Sequence, residues 1–236
     1  MRAAQSLFVA TVTTLAALGY AIPRASAQPC PDIGVAFARG TAEPPGVGSI
    51  GQAFVDSLRA QAFPRTVGVH GVDYPASSDF AGVTFTLNVV DGVRDLLDHV
   101  RGVVSVCPQT QMVLGGYSQG AMVTAFATSD VVPAGAPLAS APIPLPVDVA
   151  DHVAAVVLFG KPSGPSLVKY GVPAVDVSPL YAAKLLELCA PGDTVCSGDL
   201  AAGSNLAHGQ YAVNGMVGQG AAFAVSRLSI PPTALP

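Results

Sequence analysis

The 236-residue chain carries 15 acidic and 11 basic side chains, a formal charge of −4, and its lysines and arginines do not cluster. Nucleic acid and an anionic membrane surface are therefore excluded as electrostatically held partners. Half of the residues are hydrophobic and only 11% are charged, with 25 Gly and 21 Pro, which excludes a disordered chain and describes a compact, turn-rich exported protein.

Residues 1–27 have the form of a secretory signal, with Arg2 at the start, an apolar stretch over 7–22, and Ala25-Ser26-Ala27 where a signal peptidase requires small side chains. The apolar stretch is shorter than the roughly 20 residues that span a bilayer core, so a cleaved leader is expected rather than an anchor. Residues 28–236 are then expected to form a single domain, secreted and without a membrane span. Attachment to the cell envelope is left open.

Apolar runs of strand length recur at 33–37, 67–72, 111–114, 153–159 and 184–189. Helical periodicity separates them. It is present over 50–61 and clearest over 84–106, where Val90, Val93, Leu97, Val100 and Val104 step along one face. The other face carries Asp91, Arg94, Asp95, Asp98 and Arg101, which reads as a solvated surface. A last helix is expected over 210–227, interrupted by Gly215, Gly218 and Gly220. The proline-rich segment 134–146 reads as a loop and 229–236 as a tail. Strands alternating with helices imply right-handed crossovers and a mainly parallel sheet in a three-layer α/β/α sandwich, with ligands at the carboxyl ends of the strands.

Four cysteines in an exported chain read as disulfides rather than metal ligands, because no Cys-x-x-Cys or histidine cluster accompanies them. Three pairings are open. Cys189 and Cys196 flank a turn-like Ala190-Pro191-Gly192-Asp193 segment, so joining them is geometrically easy and would leave Cys30 for Cys107.

The strongest local signal is Gly116-Tyr117-Ser118-Gln119-Gly120, set between the apolar 112–114 and the helix-like 121–128. A nucleophile on a sharp strand-to-helix turn exposes its hydroxyl, and flanking glycines let strand and helix approach. The amide of Gln119 would then face a developing oxyanion. A serine hydroxyl also needs a base and an orienting carboxylate, in the hydrolase order serine, acid, histidine. His208 alone among the four histidines follows both Ser118 and the last expected strand. Asp193, in the turn after that strand, is the expected acid, with Asp199 as the alternative.

Taken together, Arg39-Gly40-Thr41-Ala42-Glu43, Gly115 to Gly120, Cys189-x6-Cys196 enclosing Gly192-Asp193, and His208-x2-Tyr211 resemble the cutinase family in order and spacing, above all its actinobacterial members. The resemblance covers nearly all of 28–236. It implies a five-stranded α/β-hydrolase sheet with no large lid, no cofactor or metal, and disulfides Cys30–Cys107 and Cys189–Cys196. It also implies that Thr41 completes an oxyanion hole with the Gln119 N–H.

The expected reaction is hydrolysis of short- to medium-chain carboxylic esters through an acyl-enzyme. The expected partner is an ester or lipid-like small molecule, met by a monomer, with contact to a lipid interface left open. Rim segments at 74–80 and 200–207 mix Phe80, Leu200 and Leu206 with polar side chains. Gly209 and Gln210 follow His208 where lipolytic relatives often place an aliphatic residue, so a carbohydrate acetyl esterase, a phospholipase, and a noncatalytic exported surface protein stay open as alternatives.

Overall fold

The computed structural model describes residues 29–80, 82–130, 142–169, 172, 174–199 and 205–229. The expected signal sequence and the stretches 131–141, 200–204 and 230–236 of the expected loop, rim and tail lie outside the described residues.

Five strands, β1 (Ile33–Ala38), β2 (Val67–Gly71), β3 (Gln111–Tyr117), β4 (Val153–Phe159) and β5 (Leu185–Leu188), form one parallel sheet in the order β2-β1-β3-β4-β5. Side chains alternate across it as the pleat requires. On β1, Ile33, Val35 and Phe37 face one layer, while Ala36 and Ala38 face the other. The first layer contains helices α1 (Gly48–Ala62) and α7 (Met216–Arg227), and its core includes the ring cluster of Phe37, Phe54 and Phe159. The second contains α2 (Gly82–Val106) and α3 (Gln119–Ala127), with Val93, Leu96, Leu97 and Val100 packed beneath the sheet. Three short helices, α4 (Val147–Ala150), α5 (Gly164–Lys169) and α6 (Thr194–Ser197), lie in the connections.

Every residue of α3 is buried, so this helix has no polar face to display and sits against the small side chains of β1. Strand β3 runs through Gly115 and Gly116 because neighbours on both sides pair with it, extending the expected 111–114 to Tyr117. A register shift between Met112 and Val113 accommodates one extra residue of β4.

Two expectations are corrected. The C-terminal helix starts at Met216 rather than near 210, because Gly215 takes a left-handed conformation (φ 88°) and the Asn214 side chain accepts the Met216 N–H at 3.0 Å. Residues Leu206–Gly209 form a separate 3-10 turn. The charged face of α2 is not uniformly a solvated surface. Asp91–Arg94 and Asp98–Arg101 are exposed i,i+3 pairs, but Asp95 turns inward and accepts from His70 Nε2 at 2.7 Å and from the Asp73 N–H at 2.9 Å.

The disulfides are Cys30–Cys107, tying the chain before β1 to the end of α2, and Cys189–Cys196, closing the turn after β5. Among the described residues no helix is long and apolar enough to cross a membrane, and no cluster of three or more metal-ligating side chains occurs.

Candidate active site

The sheet order reverses direction between β1 and β3, because the chain leaves β1 toward α1 on one face and leaves β3 toward α3 on the other. Such a crevice at the strands' carboxyl ends is where open α/β sheets bind ligands. Thr41 comes from the β1 side of it and Ser118 from the β3 side.

Ser118 occupies the single-residue turn between β3 and α3 with φ 54° and ψ −118°, a strained conformation for a residue with a side chain. The flanking glycines are sterically required. A Cβ at Gly116 would lie 2.3 Å from the Gly120 carbonyl oxygen, and one at Gly120 would lie 2.0 Å from the Ala38 carbonyl oxygen. The strain holds the hydroxyl up from the sheet, and Gln119, the first residue of α3, has an N–H with no intrahelical acceptor beside it.

His208 and Asp193 arrive from the other end of the sheet. His208 Nε2 lies 2.8 Å from Ser118 Oγ, and His208 Nδ1 lies 2.8 Å from Asp193 Oδ2. Asp193 is completely buried, whereas the His208 side chain keeps 16% exposure, so the carboxylate is shielded while the imidazole is partly accessible. Burial pushes the Asp193 carboxyl upward, but hydrogen bonds from His208, Tyr211 and the Val195 N–H outweigh it and hold the group below its ordinary range. The carboxylate on His208 is that of Asp193; the alternative acid Asp199 is exposed in the following turn. His70 and His99 stack on each other on β2 and α2, and His152 precedes β4, so none joins this group.

Thr41 sits in a loop pinned by two charged neighbours. The buried Arg39 guanidinium donates to the carbonyls of Glu43 at 2.9 Å, Val72 at 3.3 Å and Tyr74 at 2.5 Å. The Glu43 carboxylate accepts the Gly40 N–H, the Ser49 N–H and the Ser49 hydroxyl, each at 2.7 Å. Thr41 Oγ1 donates to Gln119 Oε1 at 3.3 Å, so its hydroxyl is already engaged.

Most of the supporting residues lie within the sequence motifs, but their roles were not legible there. Tyr211 donates to Asp193 Oδ2 at 2.6 Å and accepts the Ala190 N–H at 3.0 Å, and Tyr117 donates to the His208 carbonyl at 2.8 Å. Burial, then the nearby Glu43 and Asp193 carboxylates, push the Tyr117 phenol up to about 12, so it remains a donor at neutral pH. A Cβ at Gly160 would lie 2.9 Å from His208 Cε1 and 3.1 Å from Asp193 Oδ2. The signals were faint: an Arg and a Glu flanking Thr41 in a chain that is only 11% charged, a Tyr three residues after His208, and a Gly closing the fourth strand.

The group opens onto a cavity of about 260 Å³ whose lining combines Ser118, Thr41 and Asn205 with the apolar Phe80, Phe85, Met122, Leu167 and Val172. A hydroxyl bonded to an imidazole that is in turn bonded to a buried carboxylate is an arrangement able to carry out acyl transfer.

Comparison with known proteins agrees with this chemistry. The cutinase family model matches residues 29–228. The chain is 53% identical over 169 residues to the probable carboxylesterase Culp7 of Mycobacterium tuberculosis, covering 72% of this chain and 89% of that protein. Among solved structures, a Trichoderma reesei cutinase in complex with a phosphonate inhibitor is 36% identical with a TM-score of 0.62, covering 86% of this chain and 78% of that one. The catalytic core domain of an acetyl xylan esterase from the same organism is 25% identical with a TM-score of 0.69, covering 85% of this chain and all of that one. The chain belongs to the cutinase family of carboxylic ester hydrolases.

Proposed function

We propose that the protein is a secreted serine esterase that cleaves short- to medium-chain carboxylic esters with Ser118 as nucleophile, His208 as general base and Asp193 as the orienting acid. The observation that carries this reading is the pair of 2.8 Å contacts linking Ser118, His208 and Asp193 at the mouth of a largely apolar cavity. Ser118 Oγ attacks the ester carbonyl while His208 Nε2 takes its proton, and the resulting imidazolium is stabilised by Asp193. The tetrahedral oxyanion is held by the N–H groups of Thr41 and Gln119, each contributing about 3 kcal/mol to the transition state. His208 returns the proton to the departing alcohol, and water, activated by the same imidazole, releases the acyl group.

A cavity of about 260 Å³ lies just below the usual range of small-molecule sites, which favours chains of modest length. Val83 and Leu87, on the same first turns of α2 as the lining residue Phe85, and Leu206, next to Asn205, are exposed apolar side chains that support contact with a lipid-like substrate or its surface. The same reading includes export with cleavage after Ala27, a single domain over 28–236, and action as a monomer. A second reading, carbohydrate deacetylation, is favoured by the likeness to the acetyl xylan esterase domain and by the polar Thr41, Ser166 and Asn205 in the cavity lining.

Hydrolysis of p-nitrophenyl esters from acetate to palmitate by residues 28–236, with Ser118→Ala as control, separates these readings. An optimum at butyrate to octanoate that vanishes in the variant supports the first. A sharp acetate preference supports the second, and absence of turnover and of fluorophosphonate labelling in folded protein removes both.

A further inference from the structure

Asp193 Oδ2 is bonded twice from one side, by His208 Nδ1 at 2.8 Å and by the Tyr211 hydroxyl at 2.6 Å, while Oδ1 takes the Val195 N–H at 2.9 Å. We infer that Tyr211 is a positioning residue that competes with His208 for this oxygen and so sets how strongly Asp193 stabilises the His208 imidazolium. This rests on the proposed roles of Ser118, His208 and Asp193.

With the disulfide sulfur of Cys196 a weak second acceptor at 3.5 Å, the Asp193 carboxylate at 2.6 Å is the dominant partner of the Tyr211 hydroxyl. That hydroxyl accepts the Ala190 N–H at 3.0 Å, which directs its own proton toward Asp193. Its ring is fully buried and meets Phe159, Tyr117 and His208 edge-on, with centroids 5.9, 5.9 and 6.4 Å away, so it has no alternative seat. Gly160 closes the remaining side, since a Cβ there would stand 3.0 Å from the Tyr211 oxygen. Burial and the neighbouring carboxylate both push the phenol far above its ordinary range, so it stays a donor throughout the working pH of an esterase.

The consequence is electrostatic. A carboxylate oxygen that already accepts a short bond presents less negative charge to a second donor, so Tyr211 lowers the pull of Asp193 on the Nδ1 proton. Without that bond, Asp193 would bind the imidazolium more tightly and His208 would take up its proton at higher pH. A base that is too readily protonated is idle at neutral pH, and Tyr211 moderates it.

The test is the acid limb of the kcat/KM against pH profile, which reports the base in the free enzyme. In Tyr211→Phe, which keeps the ring, the limb is expected to move up by on the order of half a pH unit, with kcat falling about ten-fold. Replacement of Tyr211 by 3-fluorotyrosine keeps ring and hydroxyl but makes the phenol a stronger donor, so the limb is expected to move down. Opposite shifts identify the hydrogen bond, because a purely packing role moves both limbs the same way or neither, and either of those results overturns the inference. If Tyr211→Phe does not fold, the fluorotyrosine protein decides alone: a limb that stays put or rises overturns it. A wild-type protein without esterase activity would instead overturn the proposed function on which this rests.

Discussion

Ser118 and its proposed partners are held by different means. Ser118 emerges from β3, which is flanked by β1 and β4 and covered by fully buried α3, so its strained turn is carried by the buried core of the sheet. Asp193 and His208 follow β5, a four-residue edge strand that is only partly buried, and they belong to turns rather than to long elements. There the Cys189–Cys196 bond, the Tyr211 hydroxyl and the closely packed Gly160 do what the core does for Ser118. A nucleophile placed by the core should tolerate local loosening, whereas an acid–base arm placed by cross-links should not.

The largest expected effects test whether the two regions act as one unit. Ser118→Ala should lower kcat by about 10⁶-fold and abolish fluorophosphonate labelling, and Asp193→Asn, which leaves His208 in the wrong tautomer, by about 10⁴-fold. An Asp193→Asn protein with near-normal turnover would detach the acid from the mechanism.

Next come the two disulfides, whose removal divides the regions most directly. On the chain-entropy account, losing Cys30–Cys107 costs roughly 4.5 kcal/mol of stability and losing Cys189–Cys196 roughly 2.5 kcal/mol. Activity should follow the reverse order. Cys189→Ser with Cys196→Ser should reduce kcat about 10²-fold, because a shift of about 1 Å in Asp193 misaligns the base. Cys30→Ser with Cys107→Ser should leave folded protein nearly fully active. Denaturant midpoints together with kcat settle this, and a fully active short-loop variant would break the comparison.

Glu43→Gln probes the loop on the Ser118 side. An amide has one acceptor oxygen where the carboxylate has two, so one of the donors from Gly40 and Ser49 loses its partner. We expect kcat to fall about ten-fold with KM little changed, the signature of a misplaced oxyanion donor.

The smallest effects concern acid stability. Burial, and then the stacked His70, lower His99 to about 4 against an ordinary 6.5, with Asp95 opposing. The unfolded chain therefore binds the proton first, and stability falls as pH drops from 6.5 to 4, by about 1 kcal/mol for this half-buried ring. His99→Phe should flatten that part of a Tm against pH curve. Asp193 acts in a lower window. Its folded carboxyl lies below the ordinary 3.8, so its contribution is present above that value and is lost as pH falls beneath it.

Much of this was legible along the chain because it is local or periodic. Apolar runs of strand length identified the five strands and the 3.6-residue period α2, and the glycine spacing around Ser118 followed from the steric needs of one turn. The order serine, acid, histidine then pointed to His208, and the turn after the last strand to Asp193, with Asp199 left as the alternative acid. Other features depend on residues far apart in sequence. Asp95 looked like one charge among five on α2, and only the packing of that helix beside β2 turned it onto His70 and Asp73. The late start of α7 follows from bringing His208 and Tyr211 back to Asp193, a demand that helical periodicity cannot register. Arg39, Glu43, Tyr117, Gly160 and Tyr211 acquire their roles only where five strand ends converge. Hydrophobic pattern encodes which face of an element is buried, whereas the hydrogen-bond partner of a buried polar group is decided by whatever the completed fold brings within 3 Å of it.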